Sequence, residues 1–238
     1  MLAAAPRIIR RTAVLLLLPA VGFTTISIAA MRGVDPAVGA APEPLVARLQ
    51  TRLDHLSSLK GRFIQSLDSK SLGRPRTEEG RFCLRKPSFM RWDYEKPEEK
   101  LAILDGKNSW LYLPGDREVY RGQVTGIEDA SAPALLLAGR LKLDADFESR
   151  RLTPAEAGPQ GVSGAVTVEL KPRKPSEDFE RLLIAIDPER LLIRRITLVD
   201  SLGGRMVFEL YDLEENPALA DELFRFEVPA GVDVIESR

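Results

Sequence analysis

A chain of 238 residues with 44% hydrophobic side chains is long enough for one buried core and too apolar for a disordered polymer. Its net charge is −1, but the first 40 residues hold four Arg and one Asp, so Ala41 onward carries 30 basic and 34 acidic side chains and sits near −4. Such a mildly acidic body argues against nucleic acid as a partner, because phosphate binding needs a concentrated basic field.

The N-terminus has the layout of a secretory signal peptide over residues 1–30. Arg7, Arg10 and Arg11 form a basic region, and Ala13 to Ala30 follow without a charge. Small residues end the run, with cleavage after Ala29, Ala30 or Ala40 as the options. The apolar stretch is long, so an uncleaved anchor is the rival reading. Residues 31–43 read as a Pro/Ala/Gly-rich linker, and 44–238 as one folded domain.

The domain opens with a helix. Leu45, Leu49, Leu53, Leu56 and Leu59 recur every three or four residues, Pro44 suits the first turn, and Gly61 suits the stop. Beyond Gly61 the period changes to two. Met90, Trp92 and Tyr94 alternate with Arg91, Asp93 and Glu95. The same alternation marks Val166–Leu170, Met206–Leu210 and Phe224–Val228. Leu101–Leu104, Trp110–Leu113, Leu182–Ile186 and most of Leu191–Val199 are apolar on both faces. Turn signals at Asp105–Asn108, Pro114–Asp116, Asp187–Arg190 and Gly203-Gly204 separate these runs. About ten strands in consecutive antiparallel hairpins follow, in a curved sheet or barrel.

Ser131–Gly139 interrupts the strand pattern with a short helix, Ser131 as its cap and Gly139 as its end. Leu135, Leu136 and Leu137 point in three directions around it. It is either a buried connector or a plug seated in an apolar cavity.

No catalytic constellation is legible, and no cofactor or metal site is expected. His55 is the only histidine and Cys83 the only cysteine, so imidazole and thiolate metal sites and His-dependent nucleophiles lack their parts. Asp144 and Asp146 would share a strand face, and acidic surface is the better reading of them. In Arg85–Pro97 cations and aromatics alternate, as in some single-strand binders. Acids pair those cations, however, which makes the segment an amphipathic strand with Trp92 in the core.

These residues carry a resemblance. Gly61-Arg62-Phe63-Ile64-Gln65 comes first. Lys86-Pro87-Ser88-Phe89-Met90-Arg91-Trp92-Asp93-Tyr94-Glu95-Lys96-Pro97 follows. Then come Asp105-Gly106 with Trp110-Leu111-Tyr112, and Phe224-Arg225-Phe226-Glu227-Val228-Pro229-Ala230-Gly231 with Val234. In content and order this resembles the outer-membrane lipoprotein carriers of the periplasm. The resemblance implies a mainly β fold, an unclosed antiparallel half-barrel with an N-terminal helix and a short lid helix. It implies an apolar cavity for lipoprotein acyl chains, for which Met90, Trp92, Leu101, Ile103, Ile184, Ile186, Leu198 and Phe208 are the expected lining. Leu135, Leu136 and Leu137 are the expected lid. The family places an Arg before its Pro as a latch; here Lys86 stands there with Arg85 before it, so either can be the latch. The implied protein is a soluble, monomeric periplasmic carrier and no enzyme. Its implied partners are lipoproteins, an inner-membrane ABC transporter and an outer-membrane acceptor. A lipid-sensing regulatory module and a general lipid or glycolipid shuttle are the alternatives within the fold. A secreted hydrolase is the alternative outside it.

Overall fold

The computed structural model describes residues 44–68, 75–123, 132–176 and 179–236. The signal peptide, the linker and Ser131 lie outside them. Helix α1 (Pro44–His55) buries Leu45, Val46, Leu49 and Leu53. It ends before the leucine stripe does. Leu59 and Gly61 belong to strand β1 (Ser58–Asp68), which pairs along one side with β2 (Arg76–Arg85) and along the other with β11 (Arg205–Glu215). Gly61 is therefore not a helix stop. It stands at a register shift between Lys60 and Arg62, where a Cβ would come within 2.7 Å of Leu213 Cδ2 and 3.0 Å of the Tyr211 carbonyl.

The remaining elements are β3 (Phe89–Lys96), β4 (Lys100–Asp105), β5 (Asn108–Leu113), β6 (Glu118–Gln123), α2 (Ala132–Leu137), β7 (Phe147–Arg151), α3 (Pro154–Ala157), β8 (Val166–Pro172), β9 (Arg181–Asp187), β10 (Leu192–Val199) and β12 (Asp233–Glu236). The strands form one unclosed twelve-stranded sheet in the order β12-β6-β5-β4-β3-β2-β1-β11-β10-β9-β8-β7. The four expected turns join their strands as read. In the Asp105 turn one carboxylate oxygen accepts the backbone N–H of Lys107 and of Asn108. Every pairing is antiparallel except β12 with β6, which is parallel.

Phe224–Val228 is not a strand. Asp221–Phe224 is a 3₁₀ turn, and the chain then runs extended to β12 without joining the sheet. The alternation there comes from lying across a surface: Phe224 is buried, Arg225 exposed, and Phe226 half-buried. Asp144 and Asp146 likewise sit in an exposed turn rather than a strand, where the Asp146 carboxylate accepts the Lys142 N–H.

Directly paired residues of adjacent strands share a face. The inner face carries Phe63, Phe82, Leu84, Met90, Trp92, Ile184, Ile186, Ile196, Leu198, Phe208 and Leu210, and α1 and α2 close over it in one apolar cluster. Helix α2 ends where Gly139, at φ +66°, lets its own N–H and that of Arg140 return to the Leu136 and Leu135 carbonyls. The outer face is covered at two places. Residues after β11 cross β3–β6, and α3 with the 3₁₀ turn Gly158–Gln160 covers β10, where Thr197 donates to Gln160 Oε1. Among the described residues no helix is long and apolar enough to cross a membrane.

Candidate functional site: the helix-covered inner face

Six of the eight expected lining residues meet on the inner face. Met90 pairs with Leu84, Trp92 with Phe82, Ile184 with Val168 and Ile196, Ile186 with Ile193, Leu198 with Met206, and Phe208 with Ile196. The aromatics knit this surface together. Trp92 stacks on Phe82 at 5.0 Å and meets Phe63 edge-on at 4.8 Å and Phe208 at 5.9 Å.

Leu101 and Ile103 do not belong with them. Leu101 pairs with Asp93 and Ile103 with Arg91, which places both on the outer face. Ile103 is nonetheless only 2% exposed, because the 3₁₀ turn Asp221–Phe224 lies on β3 and β4. A strand apolar on both faces is ambiguous in sequence; here one face looks at the helices and the other at the C-terminal segment.

Of the three α2 leucines, Leu136 and Leu137 are buried in the inner cluster, while Leu135 is half-buried and outside it. The helix thus presents two leucines to the sheet. Leu137 meets Leu53, Leu56, Leu59 and Ile193 around a residual void of about 20 Å³. Leu136 and Leu137 share one buried cluster with α1 and the inner face of the sheet.

Arg85 and Lys86 end β2 facing opposite ways. Lys86 Nζ donates to the Leu53 carbonyl near the C-terminus of α1. A Cβ on Gly139, just past α2, would lie 3.1 Å from the same nitrogen, so one ammonium touches the ends of both covering helices. Burial pulls the Lys86 pKa below the usual lysine value, and the nearby Asp54 carboxylate opposes that shift. The cover has further ties: Leu143 N–H donates to Gln50 Oε1 at 2.8 Å, Lys142 pairs with Asp54 at 3.2 Å, and Arg52 of α1 pairs with Glu215 of β11. Arg85 serves the outer face instead. Its guanidinium donates to the Leu219 carbonyl at 3.0 Å, pairs with Asp221 at 2.7 Å and lies over the rings of Phe89 and Phe224. Of these two cations, Lys86 reaches the covering helices and Arg85 reaches the C-terminal segment.

A groove of about 570 Å³ lies on the outer face between β1–β3 and the C-terminal segment, lined by Lys60, Arg62, Arg81, Cys83 and Arg91 among others. Its cations are engaged: Lys60 with Glu214, Arg81 with Glu95, and Arg91 with Asp93 and the Leu223 carbonyl. It therefore offers no surplus positive field for nucleic acid. His55 is exposed at the end of α1 against the Thr51 carbonyl.

Sequence reading passed over one feature. The inner face contains a buried polar group formed by Gln65, Glu78, Tyr94 and Lys100. Gln65 and Glu78 are paired across β1–β2, and Tyr94 and Lys100 across β3–β4. The Tyr94 hydroxyl donates to Gln65 Oε1 at 3.1 Å, and Lys100 Nζ donates to Glu78 Oε1 at 2.6 Å while lying 4.4 Å from the Tyr94 ring centre. Burial, aided by the Glu78 charge, pushes the Tyr94 phenol above its usual pKa. The signal was present: Gln65 and Glu78 sit at core-facing positions of alternating strands.

Comparison with known proteins agrees with this architecture. The model of the family "Outer membrane lipoprotein carrier protein LolA" matches residues 54–227. An outer-membrane lipoprotein carrier protein of Nitrosospira multiformis is 34% identical, covering 80% of this chain and 87% of that protein. Its namesakes in Azotobacter vinelandii and Methylococcus capsulatus are each 32% identical, over 82% and 81% of this chain and 90% and 88% of theirs. With most of its length matched, and an unclosed sheet closed by two helices on one face, the chain belongs to the outer-membrane lipoprotein carrier protein family.

Proposed function

We propose that the chain carries lipoproteins across the periplasm, holding their acyl chains between the inner face of the sheet and the covering helices. The observation that carries this reading is an apolar face, with Met90, Trp92, Ile184, Ile186, Leu198 and Phe208 on it, covered by the helices α1 and α2. Each buried CH₂ of an acyl chain is worth roughly 0.8 kcal/mol, so a few chains bind well without polar chemistry. Leu136 and Leu137, and Leu135 at the edge, are the lid. When the lid is down its leucines take the place of the chain, which keeps loading and release nearly balanced. Lys86 is the latch.

No catalytic step is required. The cargo is received from an inner-membrane ABC transporter and delivered to an outer-membrane acceptor, and the carrier is a monomer. Residues 1–30 direct export and 44–238 form the carrier domain, with 31–43 between them. A fluorescent acyl probe tests the reading. The purified protein should bind it, and a lipoprotein should displace it. Absence of binding to the intact protein overturns the proposal. A protein recovered full-length from the cytoplasm overturns the location.

A further inference from the structure

The sheet is unclosed, and its two edge strands, β7 and β12, are finished differently. Strand β7 exposes Glu148, Arg150 and Arg151. Glu148 pairs with Arg173 at 3.3 Å, and Arg150 with Glu156 at 2.6 Å and Glu169 at 3.2 Å. Charged side chains of this kind guard an edge against the addition of another strand. Strand β12 instead exposes Val234 by 45% and Ile235 by 37%, one toward each face. Of the five large apolar side chains exposed among the described residues, four lie between Leu223 and Ile235, so the apolar surface is gathered at this side of the molecule. Neither Val234 nor Ile235 belongs to the inner cluster, so packing of the cover does not account for them.

The backbone of β12 has bonds to offer. Its Asp233 N–H donates to the Arg117 carbonyl at 2.9 Å, which turns the amides of Asp233 and Ile235 toward β6. Backbone groups alternate along a strand, so the Val234 N–H and carbonyl and the Glu236 N–H face away from β6. The charges decide what can join them. Asp233 stands across from Glu118, and Glu236 across from Arg121, which pairs with it at 3.6 Å. With Asp116 and Arg117 in the turn before β6, this edge holds two more carboxylates than cations. A second copy paired in register would set Asp233 against Glu236 if antiparallel and each carboxylate beside its twin if parallel. Like charges across a strand pair are destabilising, so the edge rejects itself.

We propose that β12 is a docking edge for an extended segment of a partner protein, one in which a central apolar pair is flanked by cations. Val234 and Ile235 take the apolar pair, the flanking cations meet Asp233 and Glu236, and the outward Val234 groups supply main-chain bonds. Opposite charge speeds the encounter and fixes the register. Docking here leaves α1, α2 and the inner face untouched, so it is open to the loaded and the empty protein alike. The proposal does not depend on what the inner face holds.

Amide exchange of the intact protein, read residue by residue by NMR, tests it with two synthetic strands. One has lysine–valine–isoleucine–lysine at its centre, and its twin has glutamate in place of both lysines. At about four times its Kd the lysine strand should slow exchange of the Val234 and Glu236 amides about fivefold. It should leave β7 unchanged, and its effect should shrink in high salt. The glutamate twin should protect neither amide. Val234→Pro removes the outward N–H while keeping the bonds to β6, and should abolish the protection. If that variant releases β12, Asp233→Lys decides: it should weaken the lysine strand and favour its twin. No protection by the lysine strand, equal protection by both strands, or equal protection of β7 and β12 overturns the proposal. Protection that appears without peptide as the protein concentration rises, together with the mass of a dimer, makes a second copy the occupant and overturns it as well.

Discussion

The inner and outer faces of the sheet bury aromatic rings equally deeply, yet they are closed by different means. Phe208 and Phe224 are each 1% exposed. Phe208 lies in a continuous cluster shared by β1–β3, β7–β11 and both helices. Phe224 belongs to a single crossing segment and packs down onto the sheet, in contact with Phe89 at 5.5 Å, with Phe226 further along against Trp110 and Tyr112. Each cover is attached to the end of the same strand by one cation, Lys86 on the inside and Arg85 on the outside. Burial of a side chain therefore does not reveal how much of the fold depends on it; the continuity of its surroundings does.

The largest test of this contrast is a pair of truncations. Phe208→Ala should cost about 3–5 kcal/mol and lower the unfolding midpoint of the whole domain. Phe224→Ala removes the same atoms but should act locally. Hydrogen exchange should accelerate in residues 219–236 and β6, while the midpoint falls much less. Equal midpoint shifts would mean that the two faces form one cooperative unit.

The two cations sharpen the contrast. Lys86→Leu loses a charge-assisted bond at a part-exposed site, worth about 1–2 kcal/mol. It should bias the cover open and slow hand-off of cargo to an acceptor membrane by about tenfold for each 1.4 kcal/mol of bias. If Lys86→Leu loads and unloads like the unaltered protein, leucine packing alone holds the lid.

Arg85→Leu should leave loading unchanged and loosen the outer segment instead. Cys83 reports on this. It lines the outer groove, and burial, with some help from Asp93, pushes its thiol up to about 11. At pH 8 alkylation should therefore be slow. It should quicken in Arg85→Leu and stay slow in Lys86→Leu. An unchanged rate in Arg85→Leu would show that Phe224 and Phe226 hold the segment without the guanidinium.

Much of this was legible in the sequence. Period-two alternation located β3, β8 and β11, and the turn residues located the hairpins, because both signals are local. The boundary of α1 was not, since Leu59 continues the helical stripe by coincidence while its backbone is paired on both sides as a strand. Leu101 and Ile103 were assigned to the wrong face for a related reason. In a strand apolar on both sides only the partner register decides which side looks inward, and register depends on residues far away in the chain. The parallel addition of β12 and the 3₁₀ turn at Phe224 were also hidden, because alternation arises both from pairing in a sheet and from lying across one. Arg85 and Lys86 were left as equal options; a strand's two-residue repeat already implied that neighbours near its end diverge.

The smallest expected effect concerns the second outer cover. Helix α3 is one turn long and carries little apolar surface, so its N-terminus depends on polar bonds. The Glu156 carboxylate accepts the Thr153 N–H at 2.8 Å and hydroxyl at 2.9 Å, and Thr153 Oγ1 accepts the Glu156 N–H in return. Arg150 adds a bond at 2.6 Å. The Thr153 backbone N–H, then Arg150 and the Thr153 hydroxyl, draw the Glu156 pKa from 4.5 down to about 2. A carboxylate whose pKa is lowered by folding stabilises the folded state above its unfolded value and loses that contribution as pH falls toward the folded one. The gap in melting temperature between the protein and Glu156→Ala should therefore be present at neutral pH and close between pH 4.5 and about 2. The group is fully exposed, so the gap should be the smallest of those described. Its turn supplies the Pro159 and Gly161 carbonyls that accept from Arg195, and the Gln160 oxygen that accepts from Thr197. Exchange of the β10 amides should thus quicken with the loss of the cap. A gap that stays constant down to pH 2 would assign the effect to the loss of the glutamate's packing, and the polar cap would no longer distinguish this cover from the aromatic one.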